Sequence, residues 1–236
     1  MAQRSLSKQM ERVQPRSISS FQNLMIKPGD RWLLMGTSGS GKTTGLKYLD
    51  ALHTRLFPSM RHYILDSKMD GDFDDWPSRI VSDTCPPPPS ANDRYQVWQC
   101  IKLIPDQIER WLWQIQQDAR NGGAIVEIDE LHHLVWKPGV YSDELNTIMK
   151  TGRSKPVTPI LLTQELGRIP PNAYKQCVHR LGFYIDQASR YDRQIWQALL
   201  KAKVSDPPDQ YGLYYQREKG RGEPEYFKDI RQFLGL

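Results

Sequence analysis

One nine-residue cluster has both the residue types and the spacing for phosphate chemistry: Gly36-Thr37-Ser38-Gly39-Ser40-Gly41-Lys42-Thr43-Thr44. It follows the apolar run Trp32-Leu33-Leu34-Met35 and leads into a helix-compatible stretch, Gly45 to His53. Strand, glycine-rich loop and helix in that order are the setting the P-loop pattern requires. Three glycines let successive backbone N–H groups curl around phosphate oxygens, and the helix N-terminus adds positive potential. Lys42 is then placed to reach the β- and γ-phosphates, and the Thr43 hydroxyl to ligate Mg²⁺. The cluster implies a bound nucleoside triphosphate, ATP with Mg²⁺.

A second cluster is acidic. The apolar run Ala124-Ile125-Val126-Glu127-Ile128 ends in Asp129-Glu130. An aspartate at the end of a buried strand holds Mg²⁺, usually through water, and the adjacent glutamate can polarise the attacking water. The pair therefore points to hydrolysis, beyond binding. Between the two motifs in the chain lies another strand candidate, Tyr95 to Cys100, which marks the P-loop division that adds a strand and supplies a catalytic glutamate in cis. A third run, Val157 to Leu162, ends in Thr163-Gln164. There an amide can sense the γ-phosphate or orient the lytic water, or Thr163-Gln164 simply caps the segment from Glu165 onward. His132 and His133, next to Glu130, lack the spacing of a zinc-protease motif.

The elements that must hold these groups alternate along the chain. His62 to Asp66 reads as a short buried strand, Ser67 to Trp76 as an acidic loop, and Pro86 to Pro89 as an extended spacer. Pro105 opens a helix with Ile108, Trp111, Leu112 and Ile115 at helical spacing, ended by Gly122-Gly123. Further helices are expected over Ser142 to Lys150 and Arg190 to Lys201, and a further strand over Leu181 to Ile185. This alternation predicts an α/β fold of the RecA-like P-loop type, a mainly parallel sheet with helices on both faces. Tyr211 to Gln216 and Glu225 to Phe227 read as a C-terminal β-hairpin. The domain reading is a basic arm over 1–27, an ATPase core over 28–205 and a hairpin extension over 206–236.

With 236 residues the chain is long enough for one sizeable α/β core. Its net charge of +5 favours polyanions without identifying one. Over residues 1–30, Arg4, Lys8, Arg12, Arg16 and Lys27 outnumber Glu11 and Asp30; this stretch reads either as a solvated tail or as a contact to a neighbouring subunit or DNA. Cys85, Cys100 and Cys177 are too widely spaced for a disulfide framework or a zinc site. No stretch is apolar for the roughly 20 residues that span a bilayer, and no signal-peptide core is seen, so a soluble intracellular protein is expected.

The ordered set Gly36 to Thr44, Asp129-Glu130, Gly152-Arg153 and Thr163-Gln164 resembles the FtsK/HerA superfamily of ring-shaped DNA-pumping ATPases. Leu65-Asp66-Ser67-Lys68 also looks like the Asp-x-Lys turn after the second strand of these motors. The compact length is most similar to the genome-packaging ATPases of tailless icosahedral viruses with internal membranes. The resemblance covers roughly residues 28 to 200 and implies an additional-strand, catalytic-glutamate core. It implies a homo-oligomeric ring, pentamer or hexamer, that moves double-stranded DNA, with a capsid vertex protein as a further partner and the host cytoplasm or virion as the location. By the same resemblance Gln164 is catalytic and Arg153 is the arginine finger, acting in cis or in trans, with Arg168, Arg180 and Arg190 as rivals. Lys68, Arg79, Lys137 and Lys175 are candidate DNA-backbone contacts. The alternatives are a cellular HerA/FtsK translocase, a filamentous-phage assembly ATPase, and a nucleotide-bound structural vertex component without motor activity.

Overall fold

The computed structural model describes residues 26–137, 140–151, 154, 156–169, 171–185, 190–200, 212–217 and 224–234. The basic arm up to residue 25, Gly152-Arg153 and residues 206–211 lie outside the described residues.

Strands form where the sequence is rich in branched and aromatic residues. They are β1 (Trp32–Met35), β2 (Arg61–Asp66), β3 (Arg79–Val81), β4 (Tyr95–Gln99), β5 (Ala124–Asp129), β6 (Val135–Lys137), β7 (Val140–Tyr141), β8 (Val157–Thr163), β9 (His179–Phe183), β10 (Leu213–Arg217) and β11 (Glu225–Phe227). The helices are α1 (Lys42–Leu56), α2 (Pro105–Asp118), α3 (Asp143–Thr151), α4 (Pro171–Lys175), α5 (Arg190–Leu200) and α6 (Ile230–Leu234). Pro105 opens α2 at a position where a helix has no use for an N–H. The Ser142 hydroxyl accepts the Leu145 N–H at 3.0 Å and so caps α3.

Among the described residues, nine strands form one sheet in the order β11-β10-β9-β1-β8-β5-β2-β4-β3. All neighbours pair in parallel except β10, which runs antiparallel to both β9 and β11. The C-terminal hairpin thus extends the main sheet. Both faces are covered, as a parallel sheet requires. Leu33 and Met35 of β1 face the apolar side chains of α2, α3 and α5. Trp32 and Leu34 face Leu46 and Leu49 of α1 and Ile230, Phe233 and Leu234 of α6.

Two expectations are corrected. The strand separating the P-loop strand from the acidic strand in space is β8, whereas β4, which intervenes in sequence, sits on the far flank of β2. Chain order and sheet order differ because parallel strands need crossovers, and each crossover is free to skip a neighbour. The strand expected over Leu181 to Ile185 begins earlier, at His179, because the buried polar pair His179 and Arg180 already runs in register with Trp32 and Leu33.

α5 comes down on β9 where β9 has no side chain. A Cβ on Gly182 would meet Leu200 Cδ1 and Trp196 Nε1 at 2.8 Å and Trp196 Cε2 at 2.9 Å. Gly182→Val should therefore cost about 2 kcal/mol through overpacking. Urea unfolding should show a lower midpoint at unchanged slope; an unaltered midpoint would refute this close packing.

Candidate nucleotide site

The site is built at the carboxyl ends of the parallel strands, where open α/β sheets place their ligands. β1 ends at Met35 beside Thr163, the last residue of β8. Asp66, the last residue of β2, is in register with both Asp129 and Gln99. Thr163, Asp129, Asp66 and Gln99 are all buried, so a row of polar groups crosses the end of an otherwise apolar sheet.

The loop after β1 is held by main-chain bonds. Gly36 N–H donates to Thr163 O at 3.2 Å, and Thr37 N–H donates to Tyr184 O at 2.9 Å. Gly36 must be glycine for space: a Cβ there would lie 2.8 Å from both Ser40 Oγ and Tyr184 O. Gly39 and Gly41 have open surroundings and instead carry φ of 72° and 93°, the left-handed turn that aims the loop amides inward. Ser38, Gly39 and Thr44 are exposed, Thr37 and Thr43 half-buried, and Ser40 buried. α1 starts at Lys42, immediately after the loop, so its N-terminal amides face the same space. Lys42 Nζ donates to Thr37 O at 2.7 Å. Burial lowers its pKa to about 8, with Glu130 and Asp129 pulling in the opposite direction.

The two acids behave differently although adjacent. Asp129 is buried and neither carboxylate oxygen has a hydrogen-bond partner. Burial pushes it up to about 7 against the pull of Lys68, whose Nζ stands 3.6 Å from Oδ2. Glu130 carries φ of 69°, unusual for a residue with a side chain, which turns its carboxylate off the strand line. Burial opposes its charge, yet His132 and Lys68 outweigh that and hold it down at about 2. His132 Nδ1 is 3.1 Å from Oε2, Lys68 is ion-paired to Oε1, and the Gln164 main-chain N–H donates to Oε2 at 3.2 Å. So held, Glu130 is ionised at neutral pH and can orient and polarise a water.

Lys68 is placed by its own turn: Asp66 Oδ1 accepts the N–H of Lys68 at 3.1 Å and of Met69 at 2.9 Å. Ser67 Oγ bonds Asp129 O at 2.9 Å and His133 Nδ1 at 2.8 Å. Lys68 is thus turned into the acidic pair, which corrects its reading as a DNA-backbone contact. Arg79 is paired with Asp74 at 2.5 Å, while Lys137 and Lys175 are exposed.

The structure brings together Lys42, Asp129, Glu130 and, through its backbone, Gln164. Arg153 lies outside the described residues. Of its rivals, Arg168 is paired with Glu165 at 2.7 Å, Arg180 is buried on β9 and donates to Tyr174 O at 3.3 Å, and the Arg190 side chain is not among the described ones. Lys68 and His132 as the partners of Glu130 were missed; the Asp-x-Lys turn was the one available signal for Lys68. The donor set suits a hard divalent cation: a buried carboxylate with both oxygens unpartnered and a hydroxyl, Thr43, at the start of the facing helix.

No protein-family model matches the sequence, and no curated protein does. Solved structures do match in fold. The genome-packaging NTPase B204 of Sulfolobus turreted icosahedral virus 2, in complex with sulfate, superposes with a TM-score of 0.66 at 17% identity, covering 86% of this chain and 98% of that one. This chain has the fold of that P-loop NTPase. The same fold recurs in the pCW3 conjugation coupling protein TcpA, solved with ATPγS, with a TM-score of 0.57 at 15% identity, covering 89% of this chain and 66% of that one. It recurs again in EssC (ATPases 2 and 3) of Geobacillus thermodenitrificans, with a TM-score of 0.58 at 10% identity over 88% of this chain and 42% of that one. No helix among the described residues is long and apolar enough to cross a membrane.

Because the folded protein raises the pKa of Asp129, its proton stabilises the fold at low pH, and that stability is lost as pH rises from the usual carboxylate range to about 7. Without added nucleotide or magnesium, Asp129→Asn should therefore melt at least about 2 °C above the wild type at pH 8, the gap closing towards pH 4. A variant that melts lower than the wild type at pH 8 would contradict a strained, buried carboxylate at this position.

Proposed function

We propose that the chain is an ATPase that moves double-stranded DNA, in the manner of a viral genome-packaging motor. The observation that carries the reading is Asp129, a buried carboxylate with both oxygens unpartnered, two strands across from the P-loop and next to a glutamate held ionised. Supporting it are the fold shared with B204, described as a genome-packaging NTPase and also solved with ATPγS, and with TcpA, described as a conjugation coupling protein.

In this reading the loop amides of 36–44 and the N-terminus of α1 bind the triphosphate, and Lys42 leaves Thr37 O to neutralise the β- and γ-phosphates. Thr43 and Asp129 would hold Mg²⁺, which supplies charge neutralisation of the phosphates when bound. Glu130 orients the attacking water once a phosphate competes for Lys68, and Gln164, already tied to Glu130 by its main chain, aligns that water from the β8 side. Arg153 acts as the arginine finger, offered to a neighbouring copy in a homo-oligomeric ring. DNA is gripped through its phosphates by exposed cations such as Lys137 and Lys175, without reading bases. A capsid vertex would be the docking partner.

Two substitutions separate binding from turnover. Lys42→Ala should abolish hydrolysis and weaken ATP binding at least about tenfold, whereas Glu130→Gln should bind ATP normally and turn over at least about a hundredfold more slowly. Fluorescent-nucleotide binding with steady-state ATPase measurements checks both; normal turnover by Lys42→Ala would sink the assignment. Double-stranded DNA should stimulate the wild-type ATPase irrespective of sequence, and its affinity should fall by at least about a hundredfold between 50 and 200 mM salt if six or more phosphates are contacted. An ATPase indifferent to DNA would leave a nucleotide switch in place of a motor.

A further inference from the structure

A second group of ionisable side chains lies under α1, outside the nucleotide site. Asp50 comes from α1, His62 from β2 and Glu127 from β5, and all three are buried. One ligand-type atom from each falls within 4.8 Å of the others. His62 Nδ1 contacts Asp50 Oδ1 and stands 3.6 Å from Glu127 Oε1. The side chain of Glu127 is fully buried, and neither of its oxygens has a hydrogen-bond partner.

The outer atoms of His62 and Asp50 are engaged. His62 Nε2 meets Thr54 Oγ1 at 3.2 Å, and Asp50 Oδ2 accepts the Tyr95 hydroxyl at 3.1 Å. Tyr95 also bonds Thr54 Oγ1, at 3.0 Å. The imidazole and one carboxylate are therefore steered from behind, with Nδ1 and Oδ1 turned towards the orphaned Glu127 carboxylate. An inner set of one nitrogen and two carboxylate oxygens, oriented by an outer set of hydroxyls, is the two-layer arrangement of a metal site.

We propose that Asp50, His62 and Glu127 form a divalent-cation site of the zinc type, distinct from the magnesium site proposed at Asp129. Charge supports the assignment: a divalent ion with a neutral imidazole cancels two buried carboxylates that otherwise need protons to remain in the interior. The chemistry selects the ion. Three protein ligands of mixed nitrogen and oxygen type, in a space closed by α1, suit a small four-coordinate ion with one water, whereas magnesium and calcium demand six or more oxygens. On binding, the ion would come between His62 Nδ1 and Asp50 Oδ1, and any proton shared there would be released to solvent. Its effect would be to tie the helix that starts at Lys42 to the strand that ends at Asp129.

The test uses the full chain. It is stripped with a chelator, incubated with zinc alone, desalted, and assayed for zinc per chain and for melting temperature. The wild type should retain about one zinc and melt at least about 5 °C higher than the stripped protein. Glu127→Gln and Asp50→Asn should each lose both effects, while Asp129→Asn keeps them. Cobalt(II) should give the wild type, but neither cluster variant, the intense visible absorption of a tetrahedral site. Should Glu127→Gln fail to fold, Asp50→Asn carries the comparison. A wild type with no retained zinc and no shift in melting would overturn the proposal and leave a proton-bridged network. Zinc lost from Asp129→Asn but kept by Glu127→Gln would overturn it equally, by placing the ion at the nucleotide site.

Discussion

The carboxyl end of the sheet is organised around one electrostatic problem, two adjacent carboxylates, Asp129 and Glu130, buried where water cannot solvate them. Taking such groups out of water is costly unless cations or hydrogen bonds replace the solvent. Lys68 cannot satisfy both. It pairs closely with Glu130 and stands farther from Asp129, so one acid is held ionised while the other is driven towards neutrality. The left-handed turn at Glu130 makes this division feasible by separating the directions of the two side chains.

β8 is the structural link between that acidic pair and the phosphate loop. Its last residue accepts the Gly36 N–H, and the following residue donates to Glu130. A single peptide group, the Thr163 C=O with the Gln164 N–H, therefore touches the loop on one side and the catalytic-type glutamate on the other. Placing β8 between β1 and β5 makes such a connection available at no cost in side chains, since main-chain donors and acceptors at strand ends would otherwise be unsatisfied.

How much of this was legible in the sequence depended on distance along the chain. The P-loop, the Asp129-Glu130 pair and the helix from Pro105 were readable because each is a local pattern whose geometry is set by its own residues. The hairpin was recognised as a hairpin, but its attachment to β9 depends on pairs such as Tyr215 with Leu181, which no local pattern encodes. The embrace of Glu130 by Lys68 and His132 was not legible for the same reason: Lys68 arrives through the register of β2 against β5. The assignment of β4 as the added strand failed because an apolar alternating run shows that a strand exists and says nothing of its neighbours. The buried trio of Asp50, His62 and Glu127 was invisible, because its members come from three elements that only the folding of the sheet and α1 brings together.

The two margins of the sheet have a bearing on how copies of this chain could meet. β3 and β11 are each three residues long, and the β3 margin begins at Ser78, whose φ of 58° bends the backbone off the strand line, with the Arg79–Asp74 ion pair beside it. So short a border offers an incoming strand only a few main-chain bonds, and its charged flank opposes a dry, in-line approach. At the margins of the described residues, contacts between copies would then fall to side chains and loops instead of a shared ladder. Such contacts can loosen and re-form while the fold of each subunit stays intact, whereas a sheet running unbroken from one copy to the next would fuse them into a rigid body.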